Sequence, residues 1–315
     1  MQRAEEAWQL ELAGGLRQPG LQPLAALSTL TSLQLLRFEV DLCAQDLPRL
    51  PALHTLCYLQ QLDCCKLDQA PRLTELGACH LVNAGVEGVV QCPRLRRARL
   101  GLPDGVHLVA PNLHHLAYSD PTPKEASLLL HLSQLRSLEL DTGSLSALSG
   151  EVQAAMGARC SRLVVGGVTW FDFDPRSLAL CGAVRTLDLS MGMRPLQGAE
   201  VAAWLGAMAG SGVAHLRLSY GEGSPFEAGL GPWLGLVARW AHLERLVLHS
   251  VRPCGAVGEF AAECARQGSP MERLELEFDG GEDGEERSGE CFRLCAAVER
   301  ANPRITCLAH AQYES

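Results

Sequence analysis

The sequence predicts an α/β solenoid built from stacked, strand-bearing repeats, and two observations lead to this fold class. The first is an apolar core of the form L-x-x-L-x-L that recurs along nearly the whole chain, as expected of a repeat array. The second is a set of helical apolar stripes that precede the later cores. One such unit cannot bury its own apolar edge, whereas stacked units bury a continuous strip. The predicted units begin at Leu33, Leu53, Leu73, Leu95, Leu113 and Leu135, and then at Leu163, Val184, Val213, Leu243, Met271 and Ile305.

The array is expected to form one elongated domain despite its 315 residues and 33.9 kDa. A globular chain of this size often divides into domains, but a repeat contacts only its neighbours and escapes that limit. We divide the solenoid into an N-terminal cap (1–23), short repeats (24–148), and longer repeats with a C-terminal cap (149–315). The N-terminal cap is predicted to be a helix with Ala4, Trp8 and Leu12 on one face.

Proline opens four of the short units, two residues before the first leucine, at Pro51, Pro71, Pro93 and Pro111. Because proline fixes its own φ angle and lacks an amide donor, it fits the entry to a strand and excludes a helix there. With a spacing of about 20 residues, the segment that connects one strand to the next has room only for an extended chain or one tight helical turn. The convex side of the first half is therefore predicted to be extended.

Amphipathic helices are predicted on the convex side of the second half, where the units are longer. Apolar residues recur at i, i+3, i+4 and i+7 before four strand cores, which gives each helix one apolar face. The segment 149–156 is predicted to be the first helix of this kind. The four stripes are Val201, Trp204, Leu205 and Met208; Trp233, Leu236, Val237 and Trp240; Val257, Phe260, Ala261 and Cys264; and Cys291, Leu294, Cys295 and Val298.

Two segments carry a Cys-x-x-Leu-x-x-Leu-x-Leu pattern in approximate form, one from Cys92 to Leu100 and the other from Cys181 to Leu189. With this pattern the chain resembles the leucine-rich repeat superfamily over residues 24–310. It looks like the cysteine-containing type of F-box proteins, which select substrates for ubiquitin ligases, and its second half is similar to the ribonuclease-inhibitor type. The resemblance implies a curved array with a parallel sheet on its concave face. No F-box motif is visible ahead of the first unit.

Composition and charge narrow the possible functions. The formal net charge is -9 and the pI is about 5.6, whereas a general nucleic-acid binder presents a basic footprint, so no nucleic-acid partner is expected. The sequence shows no secretory signal and no apolar run long enough to span a membrane, so we expect no membrane partner. The 13 cysteines are odd in number and scattered, which favours reduced, mostly buried thiols in an intracellular protein, cytoplasmic or nuclear. We expect a monomer.

The candidate binding residues follow from the alternation of side chains along each predicted strand. Since the leucines point inward, the intervening residues line the concave face, where His215, Arg245 and Arg273 form one column and Arg217 lies beside it. Adjacent arginines repel each other, which destabilises the sheet. An anionic partner bound between them would relieve this repulsion, so the column is a candidate anion-binding site. In the alternative interpretation, the column pairs with its own acids, Glu244, Glu272 or Glu275.

A second basic spot is predicted at Arg97 and Arg99, and an acidic stretch at Glu139, Asp141 and Asp188 lies between the two basic spots. Alternating charges along an open surface can give a partner both orientation and register. The alternative interpretation is a solvated charged face without a partner.

No catalytic, cofactor or metal site is predicted, and the chain is not expected to be an enzyme. Nucleophile elbows, phosphate-binding glycine loops and dinucleotide fingerprints do not occur in the sequence. The segment from Asp279 to Glu290 approaches a calcium loop, but Gly281 occupies a ligand position and a strand leads in, so we predict a flexible acidic loop. Zinc spacing is lacking at Cys64-Cys65, Cys79-His80 and His114-His115, and Cys291 with Cys295 is assigned to the core.

Two hypotheses for the function remain open. In the first, the protein is a non-enzymatic interaction module, a scaffold whose concave sheet binds a protein or peptide partner. In the second, it is the substrate-recognition component of a ubiquitin ligase that acts with a separate adaptor, and adaptor copurification would distinguish the two.

Overall fold

The computed structural model shows an α/β protein dominated by parallel strands. Contacts divide the chain into two compact units, one formed by residues 1–140 with 147–152 and the other by residues 141–146 with 153–315. The structure describes residues 8–13, 28–36, 49–63, 67, 69–82, 88–101, 106–118, 126–141, 148–168, 181–191, 205–220, 230–249, 255–279 and 284–312. Among these residues, no helix has the length and apolar character needed to cross a membrane.

In the first unit, parallel strands form a main sheet in the order β1-β2-β3-β4-β6-β8-β9, and β5 pairs with β7 in a separate two-stranded sheet. A short 3-10 helix at Ser127–His131 precedes β9. Where the structure describes the segments between these strands, they include the β5–β7 pair and this short helical turn. The strands are β1 (Trp8–Ala13), β2 (Leu30–Leu36), β3 (Thr55–Asp63), β4 (Glu75–Val82), β5 (Gly88–Gln91), β6 (Arg97–Leu100), β7 (Val106–Val109), β8 (His115–Tyr118) and β9 (Ser137–Asp141).

In the described residues of the second unit, six parallel strands pair in sequence order, and most of them alternate with helices. The strands are β10 (Arg162–Val168), β11 (Thr186–Met191), β12 (His215–Tyr220), β13 (Arg245–His249), β14 (Arg273–Asp279) and β15 (Thr306–Gln312). The described α-helices are α1 (Gly150–Gly157), whose first three residues belong to the first unit, α2 (Leu230–Val237), α3 (Gly255–Gln267) and α4 (Gly284–Ala301).

A hydrogen-bonded turn opens many of the strand units and explains their prolines. The amide of Leu53 donates to the carbonyl of Leu50 at 3.1 Å, and Leu95 donates to Cys92 at 3.1 Å in the same way. Proline at the second position of such a turn supplies the required φ angle and loses no donor that the turn uses. The same turn encloses all four prolines predicted at strand entries.

The register confirms the leucine core and corrects the start of two units. Leu33 pairs with Leu56, and Leu163 pairs with Leu187, so both belong to the strands themselves. By this register the units begin three residues earlier, at Leu30 and Cys160, which are both buried. Leu30, Leu33 and Leu35 also fit the L-x-x-L-x-L pattern, with a start three residues before the predicted one. In the other unit, Cys160 occupies the first position, where a leucine was expected.

The predicted N-terminal cap helix is wrong within the described residues. Trp8–Ala13 is strand β1, and it pairs in parallel with β2 through Leu10 and Leu33. The segment alternates apolar and polar residues from Trp8 to Leu12, which is the two-residue period of a strand. The weak helical stripe through Ala4, Trp8 and Leu12 used some of the same residues at a different period.

The helices of the second half agree with the predicted apolar stripes in most places. The stripe of α3 is fully buried at Val257, Phe260, Ala261 and Cys264, and the segment 149–156 coincides with α1. In α2, the predicted Trp233 and Val237 are buried together with Leu234, whereas the predicted Leu236 is half-buried. Leu294 of α4 is also half-buried. The predicted stripe at 201–208 is helical at residues 205–210, and residues 201–204 lie outside the described residues.

Candidate functional site

The alternation of side chains gives the second-unit sheet one buried and one solvent-facing side. In β13, Leu246 and Leu248 are buried against the helices, whereas Arg245 and His249 are half-buried on the other side. We call this other side the open face. Its members in β12, β13 and β14 are His215, Arg217, Ser219, Arg245, Val247, His249, Arg273, Glu275 and Glu277.

The predicted basic column is present on the open face. His215 pairs with Arg245, and Arg245 pairs with Arg273, so the three side chains start from neighbouring positions of β12, β13 and β14. Adjacent strands lie about 4.8 Å apart, which places the two arginines close enough to repel each other. The sequence therefore placed these three residues on the same side of the sheet, as the register shows. Whether the two arginines are available to a partner depends on the acid that pairs with them.

Glu275 is the counter-ion of both arginines. Its side chain is only 4% exposed, and its Oε2 accepts a hydrogen bond of 2.7 Å from Arg245 Nη2. Its Oε1 forms an ion pair with Arg273 Nε. Arg273 and Glu275 are two positions apart along β14, with Leu274 between them, so both point to the open face, and Arg245 reaches Glu275 diagonally. Of the three acids that the sequence offered, Glu275 is thus the one that pairs with both arginines.

We call Arg245, Glu275 and Arg273 the triad. The pKa values of its members follow from its geometry. Burial by itself would raise the pKa of Glu275, but the hydrogen bond and positive charge of Arg245, together with Arg273, hold that pKa below its ordinary value. The hydrogen bond to Glu275 raises the pKa of Arg245. Glu275 is therefore ionised at neutral pH, and the triad carries two positive charges and one negative charge.

A second ion pair crosses the open face. Arg217 Nη2 donates to Glu277 Oε2 at 2.7 Å, although β13 lies between their strands. The register places Val247 next to Arg217, and Val247 is only 6% exposed despite its position on the charged side. The arm of Arg217 must therefore pass over the middle strand, where it covers an apolar residue. This contact could not be predicted from the sequence, because it depends on the length and direction of one side chain.

The flanking residues of the open face are more loosely held. His215 Nε2 lies 3.9 Å from Glu244 Oε2, and both side chains are largely exposed. This pair therefore contributes little to the stability of the fold. Asp188 of β11 is half-buried and is paired in register with Arg217. It therefore joins the open face.

A cleft of about 600 Å³ opens at the start of β14 and β15. It adjoins the triad through Arg273, and Arg304 brings a second guanidinium to it. In the described part of the chain, the exposed Arg304 side chain makes no ion pair. The hydroxyls of Ser269 and Thr306 also line the cleft, with Pro270, Met271 and Glu272.

The basic spot of the first unit is paired and exposed. Arg97 Nη1 lies 3.5 Å from Glu75 Oε1, with 70% of the arginine side chain exposed. Arg99 Nη2 donates to Glu139 Oε1 at 3.0 Å, across Ala117 of the middle strand β8. The predicted acidic residue Glu139 is therefore the partner of Arg99, and Asp141 lies half-buried at the end of β9.

The segments weighed for metal binding give no metal centre in the described residues, where no group of three or more potential ligands is found. The predicted acidic loop is wrong from Gly284 onward, because helix α4 starts there, and residues 280–283 lie outside the described residues. Cys64 and Cys65 also lie outside them. The ring Nδ1 of His115 contacts the hydroxyl of Ser137 at 2.8 Å.

Comparisons with known proteins add no family to this geometry, since no protein-family model and no curated protein sequence matches the chain.

Proposed function

We propose that the protein is a non-enzymatic, leucine-rich repeat interaction module whose open face binds an acidic segment of a protein or peptide partner. The observation that carries the proposal is the triad, in which two arginines share one buried carboxylate. One negative charge offsets only one of the two positive charges. The surplus stays at a fixed position on the surface of the sheet.

Preorganisation makes this surplus useful for recognition. The side chains of Arg245 and Arg273 are 40% and 49% exposed, so an incoming carboxylate can reach them without displacing the core. Because Glu275 already fixes both guanidinium groups, binding orders fewer rotatable bonds than it would with free arginines. Guanidinium groups held in place favour carboxylates or phosphates through paired hydrogen bonds.

The cleft beside the triad extends the proposed surface. Arg304 places a second guanidinium, which pairs with no acid among the described residues, next to Arg273, and the hydroxyls of Ser269 and Thr306 offer further donors. An acidic segment that crosses the start of β14 and β15 therefore meets positive charge at two neighbouring points. The net charge of -9 weakens attraction at long range, but screening beyond about 8 Å leaves the local charge to decide binding.

Arg304→Glu offers the sharpest test, because this residue is exposed and supports no ion pair in the described structure. We expect it to weaken the binding of a fluorescent, glutamate-rich peptide by at least about tenfold in an anisotropy titration, as reversal of a contacting charge costs about 1.4 kcal/mol or more. Arg300→Glu is the matched control, since Arg300 lies exposed on α4 and the substitution changes the net charge equally. Equal loss in both variants, or no binding by the wild type, would contradict the proposal.

Charge reversal at Arg245 and Arg273 tests the triad itself, but it places new carboxylates beside the buried Glu275. A charge swap that combines Arg245→Glu with Glu275→Arg avoids this problem by keeping one ion pair. If the swap folds with wild-type circular dichroism, we expect preserved peptide binding because the net charge of the triad is unchanged. Arg245→Glu alone is expected to abolish binding.

Two cysteines support the second hypothesis, in which the chain selects substrates for a ubiquitin ligase. Cys92 and Cys181 are buried at the turns that open their units, which is the position they hold in the pattern that resembles F-box repeats. Affinity purification from the native cell, with the Arg304→Glu variant alongside, distinguishes the roles. Ligase adaptors recovered with both proteins favour this second role, and their consistent absence favours the plain interaction module.

A further inference from the structure

Two thiols in the last repeat lie in direct contact. The thiol of Cys307 on β15 donates to the Sγ of Cys295 on α4, with 2.9 Å between the sulfur atoms. Both residues are buried, at 6% and 7% exposure. Cys291 lies one helical turn before Cys295 and is also buried. The contact joins the final helix to the final strand.

The surroundings keep these thiols protonated at neutral pH. Burial is the main cause that raises the pKa of both Cys295 and Cys307. The nearby carboxylate of Glu299, which accepts a hydrogen bond from the Cys307 amide at 3.2 Å, raises both values further. A protonated thiol is a poor nucleophile. The pair is therefore stable as two thiols until an oxidant reaches one of them.

We propose that Cys295 and Cys307 are a disulfide-forming modification site, closed by a small oxidant such as glutathione disulfide. In the first step, one cysteine loses its proton, its sulfur attacks glutathione disulfide, and one glutathione thiolate leaves. In the second step, the other cysteine loses its proton and attacks the mixed disulfide, and the second glutathione leaves. The two cysteines are oxidised by two electrons, and one glutathione disulfide is reduced to two glutathione molecules.

Proximity favours this pair over the other described cysteines. The first step is slow at any buried thiol, since it needs local opening and a thiolate. The second step is intramolecular between atoms already in contact, and such a step competes strongly with release of the adduct. A mixed disulfide at this site is thus converted into an internal bond, whereas an adduct at an isolated cysteine is not.

The bond would fix β15 to α4 beneath the candidate site. Cys307 pairs in register with Leu274, which lies between Arg273 and Glu275 in β14. A disulfide stabilises a fold mainly by limiting the unfolded chain. We therefore expect the oxidised protein to melt at a higher temperature than the reduced one.

The experiment exposes the folded, full-length protein to glutathione disulfide, blocks free thiols with an alkylating reagent in acid, and maps the bonds by mass spectrometry without reduction. We expect a Cys295–Cys307 crosslinked peptide that is two hydrogen atoms lighter than the sum of its thiol forms. Its rate of formation should increase as the pH is raised above neutral, because more thiolate forms. Crosslinks mainly to Cys291, or only glutathione adducts at both positions, would overturn the proposal.

Matched variants sharpen the result. Cys295→Ser should abolish the crosslink and the rise in melting temperature on oxidation, whereas Cys291→Ser, one turn away, should keep both. If either variant fails to fold, the wild-type map alone still decides the proposal, because it identifies the bonded pair directly. A crosslink that survives in Cys295→Ser would count against the assignment.

Discussion

Both units contain an arginine that reaches across a middle strand to a glutamate two strands away, but the two bridges differ in burial. In the first unit, Arg99 and Glu139 are 68% and 32% exposed. In the second unit, Arg217 and Glu277 are 37% and 13% exposed. The same reach over parallel strands thus gives an ion pair in water in one place and a covered ion pair in the other.

The difference comes from the neighbours of each bridge. On the open face, Glu275 lies in the same row as Arg217, and Arg245 and Arg273 occupy the row beside it, so water has little access to the carboxylates. In the first unit the middle strand offers Ala117, which is too short to screen the pair above it. A charge held away from water interacts more strongly with its partner, but it also costs more if the partner is removed. The comparison therefore predicts unequal effects for equivalent substitutions.

The largest effect is expected when the buried carboxylate loses its charge. Glu275→Gln should lower the free energy of unfolding by about 1.5–3 kcal/mol, as expected for hydrogen bonds between charged groups. It leaves Arg245 and Arg273 adjacent without a counter-ion. The matched change Glu139→Gln in the first unit should cost only about 0–1 kcal/mol, because that carboxylate is exposed to solvent.

Urea unfolding followed by circular dichroism measures both variants under the same conditions. The denaturant slope should be unchanged if only native-state stability is altered. Equal destabilisation in the two variants would contradict the importance that we assign to burial.

The acid limb of stability should depend on Glu275. Its pKa is lowered on folding from an ordinary value of 4.5, so its stabilising contribution is complete above that value and is lost as the pH falls through the lower folded-state pKa. We expect the stability difference between wild type and Glu275→Gln to be constant near neutral pH and to shrink below about pH 4.5. Melting temperatures of both proteins in a pH series provide the measurement. A difference that grows on acidification would reverse the sign and refute the assignment.

The sequence was sufficient to predict the parts of the site that depend on the two-residue alternation of side chains along a strand. The alternation along β13 and β14 placed Arg245 and Arg273 on one side, and leucine spacing gave the neighbouring register. It was not sufficient for Glu275, since three nearby acids were equally available and the choice depends on diagonal side-chain geometry. The Arg217 bridge was out of reach for the same reason.

The fold shows the same division. Long apolar stripes such as that of α3 specify a buried helix face by themselves, because many residues repeat one period. A short segment does not, and Trp8–Ala13 fitted a helical stripe until its pairing with β2 settled the strand. The predicted unit starts at Leu33 and Leu163 were each three residues too late. At Leu33 the apolar pattern fits two registers, and before Leu163 a cysteine occupies the position where a leucine was expected.

The bridge in the second unit should show measurable coupling. A double-mutant cycle that combines Arg217→Ala with Glu277→Ala is expected to give a coupling energy of about 1 kcal/mol, at the upper end for partly exposed ion pairs. Arg217→Ala should also uncover Val247, so the single variant should lose more stability than the coupling energy alone. Urea unfolding of the four proteins gives the cycle. Additive single effects would show that the two residues do not interact.

The smallest effect is expected for the first-unit bridge. The equivalent cycle with Arg99→Ala and Glu139→Ala should give about 0.2–0.5 kcal/mol at low salt, since both charges are well solvated. Raising the salt concentration to about 1 M shortens the screening distance to roughly 3 Å, which is about the length of the bond itself. We therefore expect this coupling to fall toward zero, whereas the Arg217–Glu277 coupling should keep most of its value because less water and salt can reach it. A bridge in the first unit that resists salt as well as the one in the second would mean that exposure of the carboxylate does not decide the strength of these cross-strand pairs.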